Sequence, residues 1–163
     1  MHLEGLIIRP LLSHEYGILR DFLYLAIFME EGSSKLPMSI VDEPSLNKYI
    51  KGFGKQSDLC LVAELNSEII GAVWTRLFDS EHKGYGYYDD ETPELSMSVK
   101  EAFRGKGAGN MLLLSMKQLL KEQSYKQVSL SVSKNNFAIN LYTKHGFSII
   151  EERETDYLML TYL

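Results

Sequence analysis

The sequence has a single cysteine, no excess of positive charge and no long apolar run. Cys60 is alone among 163 residues, so no disulfide can form within the chain and no cluster of thiolates can bind a metal. No stretch approaches the roughly 18–20 apolar residues of a membrane-spanning helix. Residues 1–10 lack the basic start and the apolar run of a signal peptide. These absences predict a cytoplasmic protein with no membrane partner.

Acidic residues outnumber basic ones over the chain as a whole, 22 against 17. The net charge is −5 and the isoelectric point is near 5.4, whereas nucleic-acid binding requires a basic surface. We therefore predict no nucleic-acid partner, and any anion site must be local. The four histidines, at positions 2, 14, 82 and 145, lack the close spacing of metal ligands, so no metal site is predicted.

The composition is that of one folded domain spanning residues 1–163. Hydrophobic residues make up 45% and charged residues 24%, and there is no repeat, linker or low-complexity tract. Apolar spacing predicts a mixed α/β domain. The predicted strands cover residues 6–11, 94–99, 127–132, 147–152 and 156–163, with a further hairpin across residues 58–78 that turns at Asn66 and Ser67. The predicted helices cover residues 13–30, 42–53, 109–123 and 136–145.

The segment AFRGKGAGNMLL, residues 102–113, combines glycines and cations directly before an apolar helix. Glycine-rich backbone that leads from a strand into a helix N-terminus can direct free amide groups and the positive helix end toward one anion. Lys100, Arg104 and Lys106 add local positive charge. The pattern favours a pyrophosphate site. The alternative is a plain strand-to-helix turn with solvated cations.

This loop has neither the G-x-G-x-x-G spacing of dinucleotide-binding proteins nor the G-K-[ST] ending of a Walker A loop. It matches [RQ]-x-x-G-x-[GA] through Arg104, Gly107 and Gly109. A later segment, NNFAINLYTKHGF, fits N-x-x-A-x-x-L-Y-x-x-x-G-F. The residues that fit this second pattern are Asn135, Ala138, Leu141, Tyr142, Gly146 and Phe147. With both motifs in order, the chain resembles the GNAT superfamily of N-acetyltransferases over nearly its whole length.

The resemblance implies the GNAT acyl-CoA N-acyltransferase fold, a central, mostly antiparallel twisted sheet flanked by helices. It also implies an enzyme that transfers an acetyl group from acetyl-CoA directly to a primary amine of a small molecule or peptide. Two alternatives remain, namely use of another acyl-CoA, and a CoA-binding sensor or interaction module without turnover. A nucleotide-binding domain would explain the glycine loop but leaves the second motif unexplained.

The resemblance also assigns cofactor residues. The backbone of Met97 and Val99 would hold the pantetheine arm, and Asn135 would bond backbone or cofactor, with a helix N-cap as a compatible alternative. The pyrophosphate would be held by the amides of Arg104, Gly105, Lys106, Gly107, Ala108 and Gly109.

Two residues are predicted to be catalytic. Tyr142 corresponds to the family tyrosine that gives a proton to the coenzyme thiolate; the alternative is a core tyrosine with a locally bonded hydroxyl. Glu94, at the start of a strand, is the predicted general base, because burial would raise its pKa toward the working range. The alternative is an exposed strand-end acid. The rival bases are Asp89, Asp90, Glu91 and His82.

Residues 79–93 are predicted to form a long loop on the substrate side. Its tyrosines flank acidic residues, an arrangement suited to holding a cation against aromatic faces. We therefore expect a cationic acceptor such as a polyamine, an aminosugar or a peptide amine, bound by Tyr87, Tyr88, Asp89 and Asp90. The tyrosines are equally compatible with covering a strand edge or making a dimer contact, and both a monomer and a homodimer are compatible with the sequence. Cys60 lies in an apolar strand and is predicted to be a core residue.

Overall fold

A computed structural model describes residues 3–163, so His2 of the sequence analysis lies outside the described residues. The strands are β1 (Ile7–Pro10), β2 (Leu59–Leu65), β3 (Glu68–Arg76), β4 (Glu94–Val99), β5 (Gln127–Ser133), β6 (Ser148–Glu152) and β7 (Asp156–Tyr162). The helices are α1 (Leu19–Ala26), α2 (Pro44–Asn47), α3 (Ala108–Glu122) and α4 (Ala138–Lys144). The predicted mixed α/β fold class is confirmed.

The seven strands form one sheet in the order β1–β2–β3–β4–β5–β7–β6. The pairing is antiparallel throughout, apart from the parallel pair β4 and β5. The predicted hairpin of β2 and β3 turns at Asn66 and Ser67, whose φ angles of 51° and 66° suit a tight hairpin turn. The prediction of a mostly antiparallel sheet flanked by helices is therefore correct.

Strands β4 and β5 are joined at one end and separate along their length. In the described chain their register consists of one pair, Glu94 with Ser129, and the Ser129 amide donates to the Pro93 carbonyl at 3.0 Å. Toward Val99 the two strands diverge. We call this gap the seam, and it leaves one edge of β4 without a neighbouring strand.

The sheet has a hydrophobic core on each face. Helix α3 packs on one face with Leu112, Leu113, Met116 and Leu120 fully buried, as predicted for its apolar stripe. Helix α1 packs on the other face, where the Ser98 hydroxyl donates to the Phe22 carbonyl at 2.7 Å. Cys60 is buried in this second core, in agreement with the prediction. Because β4 alternates its side chains, Leu95, Met97 and Val99 pack into the core on the α3 side, whereas Ser98 faces α1.

Helices α1 and α2 are shorter than predicted. Residues 13–18 form a 3₁₀ turn before α1, and the chain becomes extended at Ile27. Helix α2 is one turn long, because side chains of β3 donate hydrogen bonds to the carbonyls of the residues that follow it. Trp74 Nε1 donates to the Tyr49 carbonyl at 3.1 Å, and Arg76 Nη1 donates to the Lys51 carbonyl at 2.6 Å. Tertiary hydrogen bonds thus replace those of a longer helix. Across residues 3–163, every helix is too short or too polar to cross a membrane.

Candidate active site

The glycine-rich loop connects β4 to α3 as predicted. Gly105 and Gly107 have φ angles of 73° and 95°, a left-handed conformation that costs other residues energy. Gly107 is the N-cap of α3 and has no side chain to satisfy the helix amides. At Gly109 a Cβ atom would lie 3.3 Å from Leu141 Cδ2, so α4 packs closely against the first turn of α3. These glycines shape a backbone surface at the helix N-terminus.

Consecutive backbone amides at this terminus lack acceptors. Among residues 3–163, no hydrogen-bond partner is found for the N–H groups of residues 105–110, whereas Met111 donates to the Gly107 carbonyl at 3.1 Å. The Arg104 amide was predicted to be free for the pyrophosphate, but it donates to the Glu101 carbonyl at 3.2 Å. The free amides therefore begin one residue later than predicted and extend to Asn110. Free amides at a helix N-terminus form an anion site.

The free edge of β4 continues this surface. The Lys100 amide donates to the Ile70 carbonyl of β3 at 2.8 Å, and backbone groups alternate sides along a strand. The amides of Met97 and Val99 therefore point away from β3 and into the seam. The Val99 carbonyl, on the same side, accepts from Arg104 Nε at 2.9 Å. Both predicted arm-binding residues thus present backbone groups beside the free amides of the loop.

Tyr142 lies in α4 beside these elements and is buried. Its ring packs edge-on against Phe147 with centroids 5.6 Å apart, and burial raises the pKa of its hydroxyl to about 12. The hydroxyl has no hydrogen-bond partner in the described part of the chain. The locally bonded alternative is therefore not what is observed. Helix α4 is also held to α3 by His145 Nε2, 2.6 Å from Asn110 Oδ1.

Of the roles predicted for Asn135, the helix cap is supplied by its neighbour Asn136. The cap interpretation of Asn135 is wrong, because Asn136 Oδ1 accepts from the Ala138 amide at 2.9 Å and caps the start of α4. Asn135 Nδ2 instead donates to Glu30 Oε1 at 2.9 Å. The contact joins the β5–α4 connection to the segment that follows α1.

Glu94 is buried, with 4% of its surface exposed, so the exposed-acid alternative is wrong. Burial is the largest influence and raises the pKa of Glu94 to about 7, although a hydrogen bond from Tyr49 lowers it. The Tyr49 hydroxyl donates to Oε2 at 2.5 Å. Oε1 has no hydrogen-bond partner within residues 3–163; the nearby Gly86 amide does not reach hydrogen-bonding geometry. A buried carboxylate with one free oxygen can accept a proton near neutral pH.

The rival bases are exposed or already bonded. Asp89 Oδ1 accepts from the Thr92 hydroxyl at 2.7 Å within its own turn, and Asp90 accepts from the Tyr87 hydroxyl. The His82 ring is exposed, with Nδ1 3.0 Å from Asp79 Oδ1. The structure thus places Glu94 apart from the rivals as the one buried carboxylate among them.

Residues 79–93 form an ordered loop without helix or strand, as predicted. The loop crosses β5, where the Ser129 hydroxyl donates to the Gly86 carbonyl at 2.6 Å. A Cβ on Gly86 would lie 2.7 Å from the Leu130 carbonyl carbon, so the backbones touch. Tyr88 is exposed, and Lys83 Nζ lies 5.2 Å from the Tyr87 ring centre. The predicted aromatic and acidic residues, Tyr87 to Asp90, are consecutive in this loop, and we call them its rim. Tyr87 already contacts a cation of this chain.

Sequence reasoning missed two residues that contact Glu94. Tyr49 comes from the turn after α2, 45 residues earlier in the chain, and nothing local marks it. Gly84 packs on the carboxylate so closely that a Cβ would lie 2.2 Å from Oε1. The G-Y-G spacing of residues 84–86 is a signal of close backbone approach that could have drawn attention to this segment.

Comparison with known proteins gives a family match over most of the chain. The sequence profile of the acetyltransferase (GNAT) family matches residues 24–147. A curated acetyltransferase of Pectobacterium atrosepticum is 33% identical over 95 residues, which is 58% of this chain and 60% of that protein. The matched region therefore spans less than two thirds of the relative's length.

Solved structures share the fold. The PaiA N-acetyltransferase of Thermoplasma acidophilum, in complex with coenzyme A, superposes with a TM-score of 0.71 at 19% identity, over 98% of this chain and 99% of that one. A GNAT family acetyltransferase of Elizabethkingia anophelis with acetyl-CoA bound gives a TM-score of 0.68 at 23% identity, over 98% and 99%. At these identities the likeness concerns the fold.

Proposed function

The chain belongs to the acetyltransferase (GNAT) family, and from this premise we propose that it transfers the acetyl group of acetyl-CoA directly to a primary amine. The observation that carries the proposal is the row of free amides at residues 105–110, at the N-terminus of α3 and beside the free edge of β4. Acetyl-CoA presents a pyrophosphate and an extended amide-bearing arm, which are the groups that such a surface can bind. The buried cysteine suits the cytoplasmic location that we also propose.

The cofactor contacts follow from the backbone. The amides at 105–110 would hold the pyrophosphate, with Arg104 and Lys106 contributing positive charge. The Met97 and Val99 amides in the seam would pair with the pantetheine arm and direct the thioester carbonyl toward fixed N–H donors. Such donors stabilise negative charge on a reacting oxygen without a special side chain. When bound, acetyl-CoA supplies an activated acyl group. Asn135, in the β5–α4 connection, would contribute a hydrogen bond to the cofactor.

Glu94 is the proposed general base. An amine attacks only when neutral, and most amines are protonated at neutral pH. A carboxylate with a pKa near 7 is suited to take up that proton, directly or through water. Glu94 lies beneath the loop at residues 79–93, so the amine would approach along this loop. The free Oε1 is the support for this role.

Tyr142 is the proposed general acid. It would hold a proton for the departing sulfur, and its high pKa keeps the hydroxyl protonated until that step. The hydroxyl is available because no group in the described chain engages it. No residue forms a covalent bond to the acyl group in this proposal, since the buried thiol of Cys60 lies in the core on the α1 side.

The proposed acceptor is a small molecule or peptide with a cationic amine. Asp89, Asp90 and the exposed ring of Tyr88 line the rim of the loop, where negative charge would attract an ammonium group. Asp90 and Tyr87 are already bonded to each other, so they would act as a unit. Spermidine, glucosamine and a lysine-containing peptide represent three acceptor classes to compare.

Calorimetric titration with acetyl-CoA, with ATP and NAD as controls, tests the proposal. We expect saturable binding of acetyl-CoA and none of the controls. Propionyl-CoA in the same titration tests the alternative of another acyl chain. Binding without acetylation of any amine in a broad acceptor screen would favour a CoA sensor. Absence of acetyl-CoA binding by folded protein would overturn the proposal.

A further inference from the structure

Tyr49 holds Glu94 through a hydrogen bond whose direction is fixed. The Tyr85 amide donates to the Tyr49 hydroxyl oxygen at 2.7 Å, and an amide N–H cannot accept. The hydroxyl oxygen is therefore the acceptor in that contact, and its single proton is directed to Glu94 Oε2 at 2.5 Å. Oε2 thus serves as an acceptor in this arrangement. A proton added to Glu94 must then reside on Oε1.

The position of Tyr49 is itself fixed from two sides. Trp74 Nε1 donates to its backbone carbonyl at 3.1 Å, and its ring packs edge-on against Phe78 with centroids 5.2 Å apart. The side chain is 6% exposed. Because the backbone and the ring are both held, the hydroxyl can present its proton to Oε2 without a search among rotamers.

Gly84 determines the space around the other oxygen. A Cβ at this position would lie 2.2 Å from Oε1 and 2.7 Å from the Tyr49 hydroxyl oxygen. The φ angle of Gly84 is not in the left-handed region, so glycine is not needed for backbone conformation. Its lack of a side chain is what allows Oε1 to occupy its observed position.

We infer that Tyr49 is a positioning residue that fixes Oε1 of Glu94 as the atom that takes up the proton, and that the missing side chain of Gly84 leaves room for this oxygen. The inference rests on the proposed role of Glu94 as base. In the step, an N–H bond of the acceptor ammonium breaks and an Oε1–H bond forms, while Oε2 keeps its bond from Tyr49. The amine becomes neutral and so does the carboxyl group. No other reactant is required.

Tyr49→Phe removes the hydroxyl and keeps the ring. A hydrogen bond to a carboxylate favours the ionised form, so its loss raises the pKa of Glu94, by about one unit. Lys48 and Arg153, the other charged groups that lower this pKa, stay in place. At pH 7 the ionised fraction would fall from about half to about one tenth, and kcat/KM would fall about fivefold. At pH 9 it would return to within twofold of the original protein.

The titration of Glu94 is measured directly by ¹³C NMR of the glutamate carboxyl carbons, assigned with Glu94→Gln, which needs no acceptor. The pH profile of kcat/KM is measured with whichever of spermidine, glucosamine or the lysine peptide is acetylated. Tyr16→Phe is the matched control, because its ring also packs edge-on, against Phe53 at 5.2 Å, but lies outside the site. An upward shift of the Glu94 titration in Tyr49→Phe alone supports the inference.

Gly84→Ala supplies the second test. We expect at least a tenfold loss of kcat/KM that is not recovered at pH 9, because the methyl group displaces Oε1 rather than changing its ionisation. Gly17→Ala is its control, since a Cβ there meets nothing within 4 Å. Circular dichroism and thermal unfolding check that both variants fold. Wild-type activity in Gly84→Ala would overturn Oε1 as the proton-accepting atom.

The failures of the two proposals are distinguishable. If Glu94→Gln abolishes the acidic limb of the profile but Tyr49→Phe leaves the NMR titration unchanged, Glu94 remains the base and the positioning role of Tyr49 is overturned. If Glu94→Gln retains the acidic limb, the base assignment fails, and the inference fails with it.

Discussion

The two ends of β4 contain two different kinds of site. At the Val99 end, the surface consists of backbone amides, the neighbouring loop is rich in glycine and carries the cations Arg104 and Lys106, and β5 is no longer paired with the strand. At the Glu94 end, the strand is paired on both sides, and a buried side chain is held by contacts from distant segments. Backbone recognition thus suits a large invariant cofactor, whereas a fixed side chain suits proton transfer. The predictions below test this division.

Glu94→Gln has the largest expected effect and acts at the buried end alone. Glutamine keeps the size of the side chain and still accepts from Tyr49, but it cannot take up a proton. We expect kcat/KM to fall by about a thousandfold, with the acetyl-CoA dissociation constant unchanged by calorimetry. Glu91→Gln, an exposed acid of the same loop, is the control. Weakened acetyl-CoA binding in Glu94→Gln would contradict the separation of the two ends.

Glu94→Gln is also expected to raise the free energy of unfolding above pH 7. Because the folded pKa of Glu94 is about 7 and the ordinary value is 4.5, the folded state binds more protons than the unfolded state between these values. The free energy of unfolding therefore decreases as the pH rises from 4.5 to 7. Glu94→Gln removes this loss, so we expect a gain of up to about 3 kcal/mol at pH 8. Denaturant unfolding at pH 4 and pH 8 measures it, and a loss at pH 8 would indicate general damage.

Tyr142→Phe probes the side of the seam next to the glycine loop. We expect turnover to fall about ten- to a hundredfold, with acetyl-CoA affinity unchanged and little change in stability, because no hydrogen bond in the described chain is lost. Stopped-flow acetyl transfer and calorimetry separate the two effects. Tyr125→Phe, in the same core cluster, should leave both unaltered. Full turnover in Tyr142→Phe would remove it as the acid.

Gly105→Ala acts on the backbone end. Both Gly105 and Gly5 have left-handed φ angles, 73° and 82°, and a Cβ at either would meet nothing within 4 Å. Alanine therefore introduces similar strain at both, about 1–2 kcal/mol. We expect Gly105→Ala to weaken acetyl-CoA binding about tenfold, and Gly5→Ala to lose similar stability with unchanged binding. Equal affinities by calorimetry would show that the loop conformation does not matter for the cofactor.

Asp90→Asn has the smallest expected effect. It removes one exposed negative charge from the loop rim, so KM for spermidine should rise about two- to threefold at low salt, and the difference should shrink at high salt. KM for acetyl-CoA should not change. Steady-state kinetics at two ionic strengths measure this, and a salt-independent change would point to a contact through Tyr87 instead.

Sequence and structure agree best where recognition uses the backbone. Glycines at 105, 107 and 109 report left-handed turns and close approach, so the loop between β4 and α3 could be predicted from local residues. The apolar stripe of α3 and the hairpin at Asn66 and Ser67 were predicted for the same reason. The predicted start of the free amides was wrong by one residue, because the Arg104 amide donates to the Glu101 carbonyl in a turn that the composition does not reveal.

The buried end could be predicted only in part. Glu94 stood out as a carboxylate at a strand start, but its burial depends on a loop that crosses β5 and on Tyr49 from another element. Such contacts depend on tertiary packing, which one sequence does not specify. The short α2 has the same cause, because Trp74 and Arg76 donate to carbonyls of the residues that follow it. The cap at Asn136 rather than Asn135 differs by one residue, within the usual uncertainty of helix ends.

The seam also has a consequence for the rate at which β4 exchanges its amide hydrogens with solvent. The amides of Ser96 and Ser98 are paired with β3, so their hydrogens exchange when the sheet opens. The amides of Met97 and Val99 face the seam, so their hydrogens can exchange without opening of the sheet. In heavy water, Met97 and Val99 would become labelled before Ser96 and Ser98, whereas Leu95 lies next to the one pair that β4 forms with β5. A bound arm that accepts from the Met97 and Val99 amides would slow their exchange selectively. Amide exchange along this strand thus distinguishes the edge that is paired with β3 from the edge that we propose binds the cofactor arm.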